Sequence, residues 1–138
     1  TKLAIEEFQN YVSKYPKGIN IEKCNTYLAE LRKKLEKKDF FNSKMYYDME
    51  NYKAATVAFK NFLNKFPDTE YREDAMFLIV KSGYLMAVNS IQSKQYERFE
   101  SVIIDYQNYI DEFPTGQYVS EAEKYFTKSQ AFIKKSTL

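Results

Sequence analysis

The sequence predicts an all-α protein, an antiparallel stack of helix pairs of about six helices. Three observations carry that prediction. One pattern occurs three times, ending at Pro16, Pro67 and Pro114. Only three Gly and three Pro occur in 138 residues, too few to punctuate many strands. The aromatics are 13 Tyr and 11 Phe with no Trp, and they recur at helical spacing. Tyrosine suits half-buried seams between helices, where the ring packs and the hydroxyl reaches water.

The repeat is read from fixed offsets. Phe8, Phe59 and Tyr106 lie eight residues before the prolines; Tyr11, Phe62 and Tyr109 lie five before; Tyr15, Phe66 and Phe113 lie one before. Asn10, Asn61 and Asn108 lie six before. These offsets place the aromatics on one helical face. Each Pro stops its helix because it cannot continue the hydrogen-bond ladder. Tyr71 and Tyr118 then follow at four residues. Cys24, Ala75 and Ala122 follow at eight, and Leu28, Ile79 and Phe126 at twelve.

The expected helices span about 2–15, 20–50, 52–66, 70–94, 96–113 and 117–136. Asn20, Thr69 and Thr115 are candidate caps. Glu70, Glu73, Glu121 and Glu123 suit helix N-termini electrostatically. In the long second helix Cys24, Leu28, Leu31 and Leu35 form one stripe, which Phe41, Met45 and Met49 continue after drift. A break near Lys37–Asp39 is an open alternative. Gly83 reads as a close-packing position, with a hinge as the other reading. The chain reads as one domain over 1–138, a piece of a longer protein, with 117–136 as its capping helix.

Composition excludes several functions. Hydrophobic residues make up 44%, enough for a packed core. Charge is nearly balanced, 21 basic against 19 acidic, which gives no electrostatic case for nucleic acid. No apolar run is long enough to cross a bilayer. There is no His, which removes the commonest general base and metal ligand. No Gly-rich phosphate loop or Cys/His cluster occurs. No catalytic, cofactor or metal site is expected, and the chain does not read as an enzyme. The lone Cys24 cannot form an internal disulfide.

The stretch Ser43, Tyr46, Tyr52, Ala55, Phe59, Phe62, Pro67 resembles a tetratricopeptide (TPR) repeat. The small Ser43 lets paired helices approach, Tyr46 and Tyr52 flank the turn, and Ala55 sits at the crossing. A looser copy runs Ser90, Phe99, Val102, Tyr106, Tyr109, Pro114, with its small position enlarged at Val102. The run from Leu28 to Glu36, then Phe41, Tyr46-Tyr47 and Tyr52–Ala55, then Phe66–Ala75, resembles the C-terminal half of the BamD family. These are lipoproteins of the outer-membrane β-barrel assembly machinery, also described as competence-type lipoproteins. The resemblance covers roughly 1–113.

The resemblance implies a periplasmic setting on the outer membrane and a lipid anchor upstream of this fragment, the only membrane contact expected. It implies protein partners: the barrel-forming assembly subunit and accessory lipoproteins. The family's N-terminal repeats, associated with client recognition, are absent here. The family's anchor Cys lies near the mature N-terminus, whereas Cys24 is read as a small core residue.

The weak candidates for partner binding are Arg32, Lys33, Glu36, Tyr47, Glu97 and Arg98. Arg32 and Lys33 belong to a basic run beside the leucine stripe. A solvated face accounts for that run, and an acidic partner is the functional reading. Tyr47 is singled out because Tyr46 is expected to fill the seam. Glu97 and Arg98 fall in an expected exposed turn at Gln95–Arg98, corresponding to the turn at Asp48–Asn51. The alternative function is a TPR adaptor unrelated to barrel assembly.

Overall fold

The computed structural model describes residues 2–14 and 21–137. Six helices follow in order: α1 (Lys2–Lys14), α2 (Ile21–Asp48), α3 (Tyr52–Lys65), α4 (Arg72–Val88), α5 (Gln92–Glu112) and α6 (Val119–Ser136). No strand occurs among the described residues. The fold is therefore all-α, with α3 to α6 packed as successive neighbours in the manner of TPR-like stacks. Pro16 and the cap expected at Asn20 lie outside the described residues.

The chain forms two compact units, Thr1–Phe41 and Asn42–Leu138. In the first, Ile5, Leu28 and Phe40 are buried. Cys24, Leu31 and Leu35 are half-buried, so the first part of the expected stripe holds. α2 runs unbroken through Lys37–Asp39.

The rest of that stripe is corrected. Phe41, Met45 and Met49 are 48%, 52% and 67% exposed. Phe40 and Ser43 are buried instead, and Tyr47 is half-buried. A 28-residue helix accumulates drift between a 3.5 and a 3.6 period, and the face had been carried one residue too far.

In the second unit α4 packs on α3 and α5, and α6 packs on α5 and α4. The repeated aromatics fill these seams: Phe59 and Tyr109 are fully buried, and Phe62 and Tyr106 nearly so. Ala75 and Ala122 are fully buried, as small residues at helix crossings should be. Tyr106 stacks on Phe126 at 4.3 Å and the tilted rings of Phe99 and Phe132 meet at 4.4 Å, joining α5 to α6 in antiparallel register. Such ring pairs contribute about 0.5–1.5 kcal/mol each beyond their buried area. The exposed side of α6 carries Glu123, Lys124, Thr127 and Lys128. A polar outer face suits a helix that closes a stack.

Two boundaries between α4 and α5 differ from expectation. α4 ends at Val88 rather than 94, and α5 begins at Gln92 rather than 96. The Asn89 side chain donates to the Leu85 carbonyl, and Ser90 Oγ donates to that of Met86. Gln95 Nε2 then reaches back to the Ala87 carbonyl at 3.2 Å. Together they satisfy the last carbonyls of α4 and stop it without Gly or Pro.

Thr69 is not the cap of α4. Its hydroxyl accepts from the Tyr71 amide in the preceding turn, and the residue before the helix, Tyr71, makes no side-chain cap bond. Thr115 is likewise displaced, because α6 starts at Val119 after Tyr118.

The looser repeat copy is also re-registered. Ser90 lies in the turn, outside the helix crossing. The small residue opposite Val102 is Gly83: a Cβ built there would lie 3.5 Å from Val102 Cγ2. The enlarged Val102 thus has its space from glycine on the partner helix, which accords with the packing reading of Gly83.

The α2–α3 turn contains Glu50 at φ 62°, in the left-handed region. The Asn51 amide donates to the Tyr46 carbonyl and the Glu50 amide to that of Tyr47. This is a Schellman C-cap with glutamate at the position glycine usually occupies. Glu50→Gly should therefore raise stability by about 0.5–1 kcal/mol, after allowing for glycine's larger unfolded-state entropy. Urea unfolding of both proteins checks this, and an unchanged or lower midpoint for the variant counts against it.

Candidate protein-docking surfaces

Two grooves mark the second unit. One, of about 560 Å³, is lined by Lys60 and Leu63 of α3, Met76 and Ile79 of α4, and Asp105 and Asn108 of α5. The other, of about 500 Å³, is lined by Tyr46, Ala54, Val57, Ala58 and Asn61. Asn61 and Asn108 are the repeated Asn six residues before each Pro, so the repeat places one amide in each groove.

Asp105 occupies the position that Ala58 holds one repeat earlier. Its side chain is 14% exposed, and its only ion pair shown is to the exposed Lys60 at 3.6 Å. Burial raises its carboxyl above the ordinary aspartate range, and Lys60 only partly offsets this. A raised folded-state pKa favours the fold while the carboxyl is protonated in both states, and that advantage is lost as pH rises through the folded value. Asp105→Asn should accordingly stabilise the protein at pH 7 by roughly 1 kcal/mol or less, with the gain shrinking to nothing below about pH 3.5. Thermal melts of both proteins across that range check the sign. A variant less stable at pH 7 would show that the Lys60 pair outweighs desolvation.

A second network fixes the α5–α6 turn to the start of α4. Glu73 Oε2 accepts from the Tyr109 hydroxyl and from the Gln117 amide, both at 2.9 Å. The Tyr118 hydroxyl donates to Asp74, and its ring stacks on Phe77 at 4.3 Å. Burial and then the Glu73 bond push the Tyr109 phenol up. The Asp74 bond and then burial push Tyr118 up to about 12. Both phenols stay neutral donors. Beside them, Arg72 holds Glu112 with two guanidinium bonds of 2.6 and 2.7 Å and donates to the Pro67 carbonyl. That bonding outweighs desolvation and holds Glu112 below the usual glutamate range.

The six expected docking residues are dispersed. Arg32 and Lys33 are exposed and Glu36 half-buried, all on the first-unit part of α2. Tyr47 is not a free outward residue. It packs edge-on against Tyr52 at 5.9 Å, and the Lys81 ammonium lies 5.7 Å from its ring centre. Burial pulls Lys81 down, but bonding to Tyr47 and Glu121 outweighs it and raises its pKa. It is Tyr46, expected in the seam, that is 41% exposed and lines a groove. Adjacent helical residues point about 100° apart, and the choice between them follows the α2 face corrected above.

Glu97 and Arg98 lie inside α5 and not in a turn. Glu97 is exposed; Arg98 is half-buried, and its guanidinium donates to Ser90 Oγ. Asp105 and the groove asparagines are not among the docking residues expected from the sequence. The recurrence of Asn and the Ala-to-Asp difference between copies were the signals for them.

A stack of antiparallel helices with exposed grooves defines a helical-repeat protein. A family model described as the outer membrane lipoprotein YfiO matches residues 1–99, and the chain belongs to that family. The BamD-type resemblance of the sequence is borne out by this match. No curated protein matches the chain. No helix among the described residues is long and apolar enough to cross a membrane.

Proposed function

We propose that this chain is a non-catalytic protein-binding scaffold, a BamD-like component of the complex that assembles β-barrel proteins in the outer membrane. The observation that carries the reading is the family match over residues 1–99 on a helix-pair stack. Stacked helices hold their surfaces rigidly, so partner affinity is not spent on ordering the scaffold. The partners would be the barrel-forming subunit and accessory lipoproteins, at the periplasmic face of the outer membrane.

The proposed contacts are Arg32, Lys33, Glu36 and Glu97, whose side chains are exposed or half-buried. Tyr47 and Arg98 would contribute through the positions their internal partners give them. Titration of the chain with the periplasmic domains of the cognate barrel subunit tests this. Saturable binding weakened by Arg32→Glu is expected. A folded chain that binds none of those domains favours an adaptor unrelated to barrel assembly.

A further inference from the structure

The two ends of the second unit differ in charge. At the proline-turn end, residues 65–74 and 111–123 carry eight acidic and two basic side chains. At the other end, residues 88–98 and 130–137 carry four basic side chains, Lys94, Arg98, Lys134 and Lys135, against one acidic, Glu97, and the α2–α3 turn at 42–53 is balanced, with Lys44 and Lys53 against Asp48 and Glu50. The Phe99–Phe132 contact brings the start of α5 and the end of α6 together there. The lysines of α6 face its negative dipole end, yet Lys134 and Lys135 are exposed and have no acidic partner among the ion pairs shown.

That basic end also displays apolar side chains. Ile91 is 67% exposed, Val88 45% and Tyr96 41%. All three belong to the α4–α5 turn and its flanks, beside the exposed Asn89, Gln92, Ser93 and Lys94. An exposed aliphatic tip with a tyrosine and a lysine collar has the chemistry of a membrane-interface contact: apolar groups enter the headgroup layer and ammonium groups meet lipid phosphates.

We propose that the α4–α5 turn and the end of α6 dock on an anionic phospholipid surface, a contact independent of any lipid anchor. Charge complementarity selects this end and not the acidic one. Affinity for the surface is reversible and weak, because four cations and one short apolar tip supply it.

Sedimentation of the chain with vesicles of phosphatidylcholine, with and without phosphatidylglycerol, tests this. Binding is expected only to the phosphatidylglycerol vesicles, and it should fall with added salt. Ile91→Glu and the double variant Lys134→Glu/Lys135→Glu should each weaken it about ten-fold or more. Lys65→Glu, at the acidic end, should leave it unchanged within about two-fold. These side chains are exposed, and circular dichroism confirms that each variant folds. No vesicle binding, equal binding to both vesicles, or equal loss with Lys65→Glu overturns the proposal. So does vesicle binding unaffected by Ile91→Glu. The assay contains no partner protein, so its failure leaves the scaffold reading standing, and the converse holds too.

Discussion

Gly116→Ala should lower the stability of the second unit by about 2–3 kcal/mol, a large effect for one methyl group. A Cβ at this position would collide with Glu73 Oε2 and lie 2.9 Å from the Tyr109 hydroxyl. The Glu73 carboxylate is the end of a flexible side chain and can swing away. Doing so breaks its bonds to Tyr109 and Gln117. Tyr109 is fully buried, so its hydroxyl would lose its carboxylate acceptor where water cannot replace it. Hydrogen bonds to charged groups contribute about 1.5–3 kcal/mol, and orphaned buried donors cost a similar amount. The check is a double-mutant cycle with Glu73→Ala. If the account is right, Gly116→Ala costs less once Glu73 is shortened, because only the Tyr109 hydroxyl then crowds the added methyl group. Additive losses would mean that the methyl group clashes with something other than Glu73.

The largest single loss is expected from Phe59→Ala, about 3–5 kcal/mol. Phe59 is fully buried in α3, and truncation leaves a cavity that packed helices fill only partly. Val57, two residues earlier on the same helix, is 54% exposed, so Val57→Ala should fall within about 0.5 kcal/mol of the parent. Denaturant midpoints of the three proteins give the comparison. Similar midpoints for Phe59→Ala and Val57→Ala would sink the assignment of Phe59 to the core.

The parts of this fold that were legible in the sequence are those written in local spacing. Phe59, Phe62, Tyr106 and Tyr109 sit at fixed distances from a proline, and all four proved buried. Ala75 and Ala122 were legible for the same reason. The end of α4 was not, because Val88 and Ile91 look like a continuing apolar face. Besides Asn89 and Ser90, what stops the helix is Gln95, seven or eight residues further on and pointing backwards.

The Glu73–Gln117 bond joins residues 44 apart in sequence and leaves no periodic trace. The docking residues fared unevenly on similar grounds. Arg32 and Lys33 are exposed as a basic run on a long helix suggests. Tyr47 was misjudged because one residue of drift over eight turns decides which of two adjacent tyrosines faces inward. The larger groove needs three helices to exist at all, and the smaller one needs two.

The difference in length between α3 and α5 has one more consequence. α3 has 14 residues and α5 has 21, though both end at the same distance from a proline. The extra seven residues make just under two turns, so they return the helix to within about 20° of its starting azimuth. Val102 and Tyr106 therefore keep facing the core however far the N-terminal end of α5 extends. The hairpin tip is thus free to lengthen or shorten in heptads without repacking the scaffold behind it. Deleting residues 92–98 should leave a folded unit with a shorter tip, less the Gln95 and Arg98 bonds that end α4 and hold its turn. Deleting five residues there would turn any part of α5 that stays joined to the turn by about 140° relative to the rest. A circular-dichroism melt distinguishes the two deletions. In such an architecture the reach of a contact surface and the integrity of the core vary separately.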